Sequence, residues 1–129
     1  MPCSVFWLVD EEKYIGCGII RHRITKSIEE FGGHIGYAIR PSLWNKHYGT
    51  LNFKYLLIET NKLKIDSALV TCDSENIASK KIIEHAGGKL WDQLNTKSNN
   101  KNIILNRYWV STNVSKTKYN AKNRYNAKI

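Results

Sequence analysis

The chain has 129 residues and a formal net charge of +9, with 42% hydrophobic and 11% aromatic residues. This length allows at most one ordinary domain, and this composition is typical of a folded chain rather than a disordered one. No apolar run approaches the roughly 20 residues of a membrane span, and no basic leader precedes the first apolar run. We therefore expect a cytoplasmic protein without a membrane partner.

The cysteines give no sign of a metal centre. Cys3, Cys17 and Cys72 are odd in number, lie in apolar runs and lack the spacing of metal ligands. Reduced thiols in the core of a cytoplasmic protein are the simplest interpretation. We predict no metal site.

The positive charge is concentrated at the C-terminal end. Residues 111–129 contain five basic side chains and no acid, which leaves +4 for the rest of the chain. A basic run with interleaved tyrosines can contact nucleic acid, but more often it is a solvated tail. We therefore predict a domain over residues 1–110, followed by a basic, flexible tail over 111–129, with nucleic acid an unlikely partner.

The first 40 residues read as three strands. Residues 4–10 and 13–23 are β-rich runs separated by three acids, which predicts an antiparallel hairpin. Residues 33–40 are rich in Ile and Tyr, and Pro41 then blocks further pairing because it has no backbone N–H. We expect this third strand to return antiparallel to the second.

A helix and a strand follow. Residues 48–63 show a wide apolar face at helical spacing, which implies burial against a sheet. Residues 66–72 are a short apolar strand, expected to run parallel to the preceding strand because a helix connects the two.

The second helix is expected to begin at the N-cap pair Asp73-Ser74 and to end near Ala86, before Gly87-Gly88. Its inward side chains would be Ile77, Ala78, Ile82 and Ala86. Residues 89–94 and 101–110 supply two last strands. The fold class is therefore α+β, with one central mixed, mostly antiparallel sheet of about six strands and two main helices, in the order β-β-β-α-β-α-β-β.

The stretch 33–50, GHIGYAIRPSLWNKHYGT, joins a strand end, a turn and a helix start. A new helix N-terminus offers unpaired N–H groups and a partial positive charge, and this combination binds phosphate. The stretch resembles the acetyl-CoA-binding signature of the Gcn5-related N-acetyltransferase (GNAT) family, in which a strand ending near a proline leads into Arg/Gln-x-x-Gly-x-Gly/Ala.

Two positions of that signature differ here. Its first, fourth and sixth positions fall on Trp44, His47 and Gly49. A Trp-Gly-Lys-Gly-Tyr-Ala-Thr version resembling this loop occurs in the branch that acetylates ribosomal-protein N-termini and polyamines. His47 is the more serious departure, because glycine there lets the backbone approach the phosphates closely. We expect the Cβ of His47 to weaken binding.

Other blocks extend the resemblance over residues 5–110. TCDSENIASKKIIEHAGG (71–88) looks like the family's second CoA-contacting segment, and IRHR, GGHIGY and RYW resemble one bacterial branch. The resemblance implies an N-acetyltransferase that transfers acetyl from acetyl-CoA to a primary amine, on a small molecule or a peptide, by direct attack.

The resemblance also implies which residues bind the cofactor. Backbone amides of residues 45–50 would hold the pyrophosphate, the Ile39 backbone and the Asn76 side chain would bind the pantetheine arm, and Ser79 and Lys80 would lie near the arm or the adenosine phosphate. Lys46 could instead be a solvated charge, and Asn76 a simple first-turn helix residue. The full implied set is Ile39, Trp44, Asn45, Lys46, His47, Tyr48, Gly49, Thr50, Asn76, Ser79 and Lys80.

The catalytic groups are less well marked. His34 is the candidate base, because the related branch carries a carboxylate there and an imidazole can accept a proton near neutral pH; the alternative is that it points into the sheet or solvent. His22 is a weaker candidate. The oxyanion would be held by a main-chain N–H within residues 38–40. The family's thiolate-protonating tyrosine falls on Ile83, so we assign no general acid.

The resemblance begins at the family's second strand. We therefore expect an open acceptor side and an exposed sheet edge, which would favour a homodimer. Two further hypotheses stay open: a CoA-binding module without turnover, and a basic nucleic-acid-binding protein.

Overall fold

The computed structural model describes residues 3–10, 13–23, 33–44, 47–114 and 123–128. Two helices, seven strands and a short 3-10 helix make up these residues. In chain order they are β1 (Cys3–Asp10), β2 (Lys13–Arg21), β3 (Ile35–Ile39), the 3-10 helix (Pro41–Leu43), α1 (Tyr48–Lys62), β4 (Ser67–Asp73), α2 (Ile77–His85), β5 (Lys89–Ser98), β6 (Lys101–Ser111) and β7 (Asn123–Lys128).

The strands form two antiparallel sheets, one in the order β3-β2-β1-β7 and one in the order β4-β6-β5. The predicted α+β class, the six predicted strands, the two helices and their order along the chain are confirmed. The strands are nevertheless divided between two sheets rather than joined in one. In the described part of the chain no parallel ladder links β3 to β4. One isolated antiparallel bridge, between Gly33 just before β3 and Val70 of β4, joins the two segments.

Strand β7 lies inside the segment that the sequence predicted to be a flexible tail. It pairs antiparallel with β1 over six positions, from Val5 opposite Lys128 to Asp10 opposite Asn123. Its sequence, NRYNAK, has no apolar alternation, and backbone ladder bonds require none. The apolar patterns used to predict the other strands therefore did not indicate this one.

The hairpin between β5 and β6 is tighter than predicted. Ser98 pairs with Lys101, so only Asn99 and Asn100 form the turn, and both have positive φ, 53° and 64°. Two successive left-handed residues define a type I′ turn, and asparagine adopts that conformation more readily than most residues. The polar run that was predicted as a loop therefore continues the strands.

Helix α1 packs its apolar face on β2 and supplies much of the core. Phe53, Leu56 and Leu57 are at most 1% exposed. A Cβ at Gly18 of β2 would lie 2.4 Å from the Leu56 side chain. Glycine at this position therefore sets how closely the helix approaches the sheet.

Helix α2 begins three residues later than predicted, with Asn76 rather than Asp73-Ser74 as its N-cap. Asp73 instead forms a turn, because its side chain accepts from the Glu75 N–H at 2.9 Å and its carbonyl accepts from the Asn76 N–H at 2.9 Å. The delayed start rotates the inward face: Ile77 is 64% exposed, whereas Ile83 is fully buried. The prediction that Ile77 and Ala78 point inward was wrong, whereas Ile82 and Ala86 do pack against the core.

All three cysteines are free thiols. Among the described residues no helix is both long and apolar enough to cross a membrane, and no group of His, Cys, Asp and Glu could hold a metal ion.

Candidate functional site

The N-terminus of α1 presents three backbone N–H groups. The first bond of the helix runs from the Leu51 N–H to the His47 carbonyl at 3.2 Å, and no side chain caps the helix. Tyr48, Gly49 and Thr50 precede that bond, and in the described part of the chain their N–H groups donate to no backbone carbonyl outside the helix. Together with the helix dipole, such groups form a site suited to an anion.

His47, the N-cap of α1, adopts the left-handed conformation, with φ 65° and ψ 8°. This conformation suits glycine, which explains why a glycine fits this position of the signature. A histidine tolerates it at some cost in backbone strain. The His47 backbone forms the turn, and its exposed side chain does not cap the helix.

The turn that leads into α1 is a short 3-10 helix over Pro41–Leu43. It ends at Trp44, whose N–H donates to the Pro41 carbonyl at 3.2 Å. The backbone of Trp44 is therefore already engaged. Asn45 and Lys46, which the sequence also assigned to the cofactor, lie outside the described residues, so their roles stay predictions.

Strand β3 forms the edge of its sheet and turns alternate backbone groups away from β2. The Arg40 N–H donates to the Ile15 carbonyl at 2.8 Å, and Ala38 lies opposite Cys17 in the same register. Because hydrogen-bonded pairs alternate in an antiparallel ladder, the N–H and C=O of Ile39 point to the open side. Among residues 38–40, Ile39 is thus the one whose N–H faces away from the sheet.

In the described part of the chain β3 and β4 belong to different sheets and are bridged only at one end; we call the unpaired stretch between them beyond this base the gap. At that base the His34 N–H donates to the Leu69 carbonyl at 2.7 Å, and the Leu69 N–H donates to His34 Nδ1 at 2.8 Å. Gly33 has φ 67°, and a Cβ there would lie 2.3 Å from the Leu69 oxygen. Glycine therefore allows the close contact at this base.

His34, the candidate base, is committed to this contact. An Nδ1 that accepts a hydrogen bond carries no proton, so the neutral ring carries its proton on Nε2. Burial lowers the pKa of His34, which keeps the ring neutral. Neither nitrogen then has a free lone pair, and the geometry favours a structural role that links the two sheets.

His22, the weaker candidate, is also engaged. Its Nε2 lies 2.8 Å from the Ser4 hydroxyl, across the β1–β2 pair. This contact ties the ring to β1.

The N-terminus of α2 lies across the gap from β3. The Asn76 side chain accepts from the Ser79 N–H at 3.1 Å and so caps the helix. The Ser79 hydroxyl lies 2.7 Å from the hydroxyl of Tyr37, which belongs to β3. This contact spans the gap and connects the two elements on either side of it.

Tyr37 is a site residue that the sequence analysis did not single out. Burial raises the pKa of its phenol, outweighing the opposite effect of the Ser79 hydrogen bond. Its ring also packs on Phe53 of the core, with 5.3 Å between centroids. Alternation along β3 could have placed Tyr37 on the same face as Ile35 and Ile39, but nothing in the sequence pairs it with Ser79.

The first turn of α1 packs against the later part of α2. A Cβ at Gly49, in the first turn of α1, would lie 2.8 Å from the Ile82 side chain of α2. Lys80, in the first turn of α2, is half-buried and adds a positive charge on this side. Lys80 therefore adds a cation to the turn of α2 that contacts β3 through Ser79.

Two further side chains in or next to α2 offer no ionised group. Burial raises the pKa of the Cys72 thiol, at the end of β4, so that it stays protonated. Ile83 is fully buried against Gly88. The position that would carry the family's tyrosine is therefore a core position in this chain.

A family comparison now defines the class of this protein. The family model described as an acetyltransferase (GNAT) domain matches residues 2–89. The chain therefore belongs to the GNAT acetyltransferase family. Among curated proteins, no sequence matches it.

Solved structures show the same fold at low sequence identity. The yncA structure from Salmonella typhimurium, which holds its cofactor acetyl-CoA, has a TM-score of 0.64 at 13% identity, with 82% of this chain and 62% of that chain covered. An N-acetyltransferase from Staphylococcus aureus Mu50 has a TM-score of 0.67 at 16% identity, with 84% and 67% covered.

The spermidine N-acetyltransferase SpeG of Vibrio cholerae, as its F149A mutant, has a TM-score of 0.68 at 14% identity, with 84% of this chain and 66% of that chain covered. The chain thus spans about two thirds of the length of these neighbours, and 62% of yncA.

Proposed function

We propose that this protein binds acetyl-CoA and transfers the acetyl group to a primary amine by direct attack on the thioester. One observation carries the proposal: the N–H groups at the start of α1 lie beside the end of edge strand β3, where a Cβ at Gly49 would come within 3.9 Å of Ile39, and the Ile39 backbone points away from β2. This combination offers an anion site and an edge for an extended amide chain side by side.

The pyrophosphate would bind the N–H groups of Tyr48, Gly49 and Thr50. These groups and the dipole of α1 provide the attraction, and Asn45 and Lys46 are expected to contribute from the preceding loop. The exposed His47 stands at the turn and replaces glycine there. We expect it to weaken the site rather than abolish it, because its backbone already adopts the required left-handed conformation.

The pantetheine arm would lie in the gap, along β3. One of its amide N–H groups would donate to the Ile39 carbonyl, as in an added strand. On the opposite side, the Asn76 Nδ2 group remains available when Oδ1 caps α2. Ser79 and Lys80 follow in the same first turn and would contact the arm or the adenosine phosphate.

In the reaction, a neutral amine attacks the thioester carbonyl and negative charge develops on the carbonyl oxygen. The Ile39 N–H is the main-chain donor suited to stabilise it, because it faces the gap whereas the Arg40 N–H is bonded to Ile15. His34 cannot take the amine proton without breaking its contact with Leu69. We therefore assign deprotonation to water rather than to a side chain.

A thermal shift with CoA tests the proposal directly. A ligand bound only by the folded state adds RT ln(1 + [L]/Kd) to the free energy of unfolding, so a bound ligand raises the melting temperature. CoA should stabilise the chain more than pantetheine does, because pantetheine lacks the pyrophosphate. Equal melting temperatures with and without saturating CoA would contradict the proposal.

A second candidate function is CoA binding without turnover, favoured by the buried Ile83 and the engaged His34. Labelled acetyl-CoA with a panel of amines separates the two. The panel should include spermidine, because one structural neighbour is named for it, and peptides with free N-termini. Transfer above the uncatalysed rate supports the enzyme; binding without transfer supports the second function.

The exposed edge expected beside β1 is paired with β7 in the structure, so a homodimer would need another edge. Such a dimer can be tested in the same preparations. β5 is a ten-residue edge strand of its sheet and offers a row of backbone groups for pairing with a second copy. Sedimentation at several protein concentrations would show a dimer as a concentration-dependent increase in mass.

A further inference from the structure

The indole of Trp44 makes one specific contact although most of the side chain is in solvent. The side chain is 61% exposed, yet its Nε1–H donates to the Ile39 carbonyl at 2.7 Å. An indole N–H at the surface can bond to water instead, so nothing about burial requires this contact. The indole folds back over five residues to reach the end of β3.

The carbonyl that it contacts is the last one on the open edge of β3. Strand β3 ends at Ile39, and alternation places the Ile39 backbone on the side away from β2. The next outward-facing residue along the edge is Tyr37, two positions earlier. A ligand that extends this edge from the α1 end therefore meets the Ile39 carbonyl first.

From this geometry we infer that Trp44 sets the affinity for the pantetheine arm by competing for the Ile39 carbonyl, a role that rests on the proposed function. In the free protein the indole N–H satisfies the carbonyl. A donor amide of the arm takes its place, and the indole moves to solvent. The exchange replaces one hydrogen bond by another, so the arm binds with less favourable free energy than it would if the carbonyl had no protein donor.

The exchange has a spectroscopic consequence. The indole of Trp44 passes from a protein hydrogen bond to water when the arm binds, so the emission of this one tryptophan should change with CoA. Trp109 of β6, which is 37% exposed and packs on Trp91, belongs to the other sheet and serves as the reference. Replacing it makes the same chemical change away from the gap.

The test compares Trp44→Phe, Trp109→Phe and the unmodified protein. Phenylalanine keeps an aromatic ring at position 44 and removes the N–H donor. Trp44→Phe should bind CoA about threefold to tenfold more tightly, the range that one net hydrogen bond provides. ADP, which has the diphosphate but no arm, should bind both variants and the unmodified protein equally.

Fluorescence gives an independent readout. The emission change on adding CoA should disappear in Trp44→Phe and persist in Trp109→Phe. Unchanged or weaker CoA binding by Trp44→Phe would overturn the inference, since the indole would then be supporting the arm or ignoring it. An equal change for CoA and ADP would overturn it too, because the effect would come from the phosphate loop.

Failure of the proposed function looks different. If the unmodified protein and both variants bind neither CoA nor ADP, the anion site itself is absent and the proposed function fails. If all three bind CoA with the same affinity, the proposed function stands and the competition by Trp44 is excluded.

Discussion

The Leu69 N–H donates to Nδ1 of His34 at 2.8 Å, and with the His34 N–H to Leu69 carbonyl bond it connects the two sheets. The two residues are 35 positions apart and lie beside the bridge between Gly33 and Val70. A side chain thus supplies an acceptor at the place where the strand ladder stops. The contact depends on a neutral imidazole, because a protonated Nδ1 cannot accept.

We predict that acidification destabilises the fold through His34. Burial lowers its pKa in the folded state, so the unfolded chain binds the proton more readily. The stabilisation is complete above the ordinary histidine pKa of about 6.5 and is lost as the pH falls toward the lowered folded-state pKa. Urea unfolding between pH 8 and pH 5 measures this slope.

His34→Leu should flatten that slope and lower stability at pH 8 by about 1–3 kcal/mol, because it leaves the buried Leu69 N–H without an acceptor. His85→Gln, at the exposed end of α2, is the matched control and should keep the slope. A slope that survives in His34→Leu would assign the pH dependence to another group.

His47→Gly should relieve the strain at the start of α1. A left-handed residue with a Cβ costs the folded state roughly 1–2 kcal/mol. Glycine removes this strain, but its greater conformational freedom in the unfolded chain offsets part of the gain. We expect a net gain of about 0.5–1 kcal/mol in the free energy of unfolding and tighter CoA binding.

Lys64→Gly is the control for this variant. Lys64 has φ 64°, almost the same as His47, but follows the C-terminal end of α1. It should gain similar stability and leave CoA binding unchanged. Tighter binding in both variants would show that general stability, and not the phosphate loop, controls affinity.

Two variants separate the capping role of the Asn76 side chain from its proposed role in binding the arm. Asn76→Ala removes the acceptor for the Ser79 N–H and should cost about 1 kcal/mol of stability. Asn76→Asp keeps the cap and should retain stability, but it replaces the Nδ2 donor with a negative charge. If Asn76 binds the arm, Asn76→Asp weakens CoA binding at unchanged stability; equal affinity would restrict Asn76 to capping.

The Tyr37–Ser79 contact should couple β3 to α2 energetically. Tyr37→Phe and Ser79→Ala each remove one hydroxyl of the pair and should cost about 0.5–1.5 kcal/mol. The double variant should lose less free energy of unfolding than the sum of the two single variants, because either single change already removes the hydrogen bond between the hydroxyls. Strict additivity in urea unfolding would mean that the hydroxyls act separately.

The sequence predicted the elements whose side chains alternate or repeat. Helix α1 was placed within one residue of its observed end because its apolar face is wide, and β1 to β6 follow from apolar runs and turn residues. The start of α2 was misplaced because Asp73 and Asn76 are both good caps, and the turn made by Asp73 decided between them.

The contacts that shape the site lie beyond such patterns. His34 with Leu69 and Tyr37 with Ser79 join residues 35 and 42 positions apart, and a single sequence records no pairing between them. The glycine-like conformation of His47 was likewise hidden, because the signature gives the residue type and not its dihedral angle.

The pairing of β7 with β1 places both ends of the described chain side by side. Val5 lies opposite Lys128, and Cα atoms of such antiparallel partners are about 4.5–5.5 Å apart. Cysteines introduced at positions 5 and 128 would therefore fall within the Cα separation of disulfides, and the resulting bond would lock β7 onto β1.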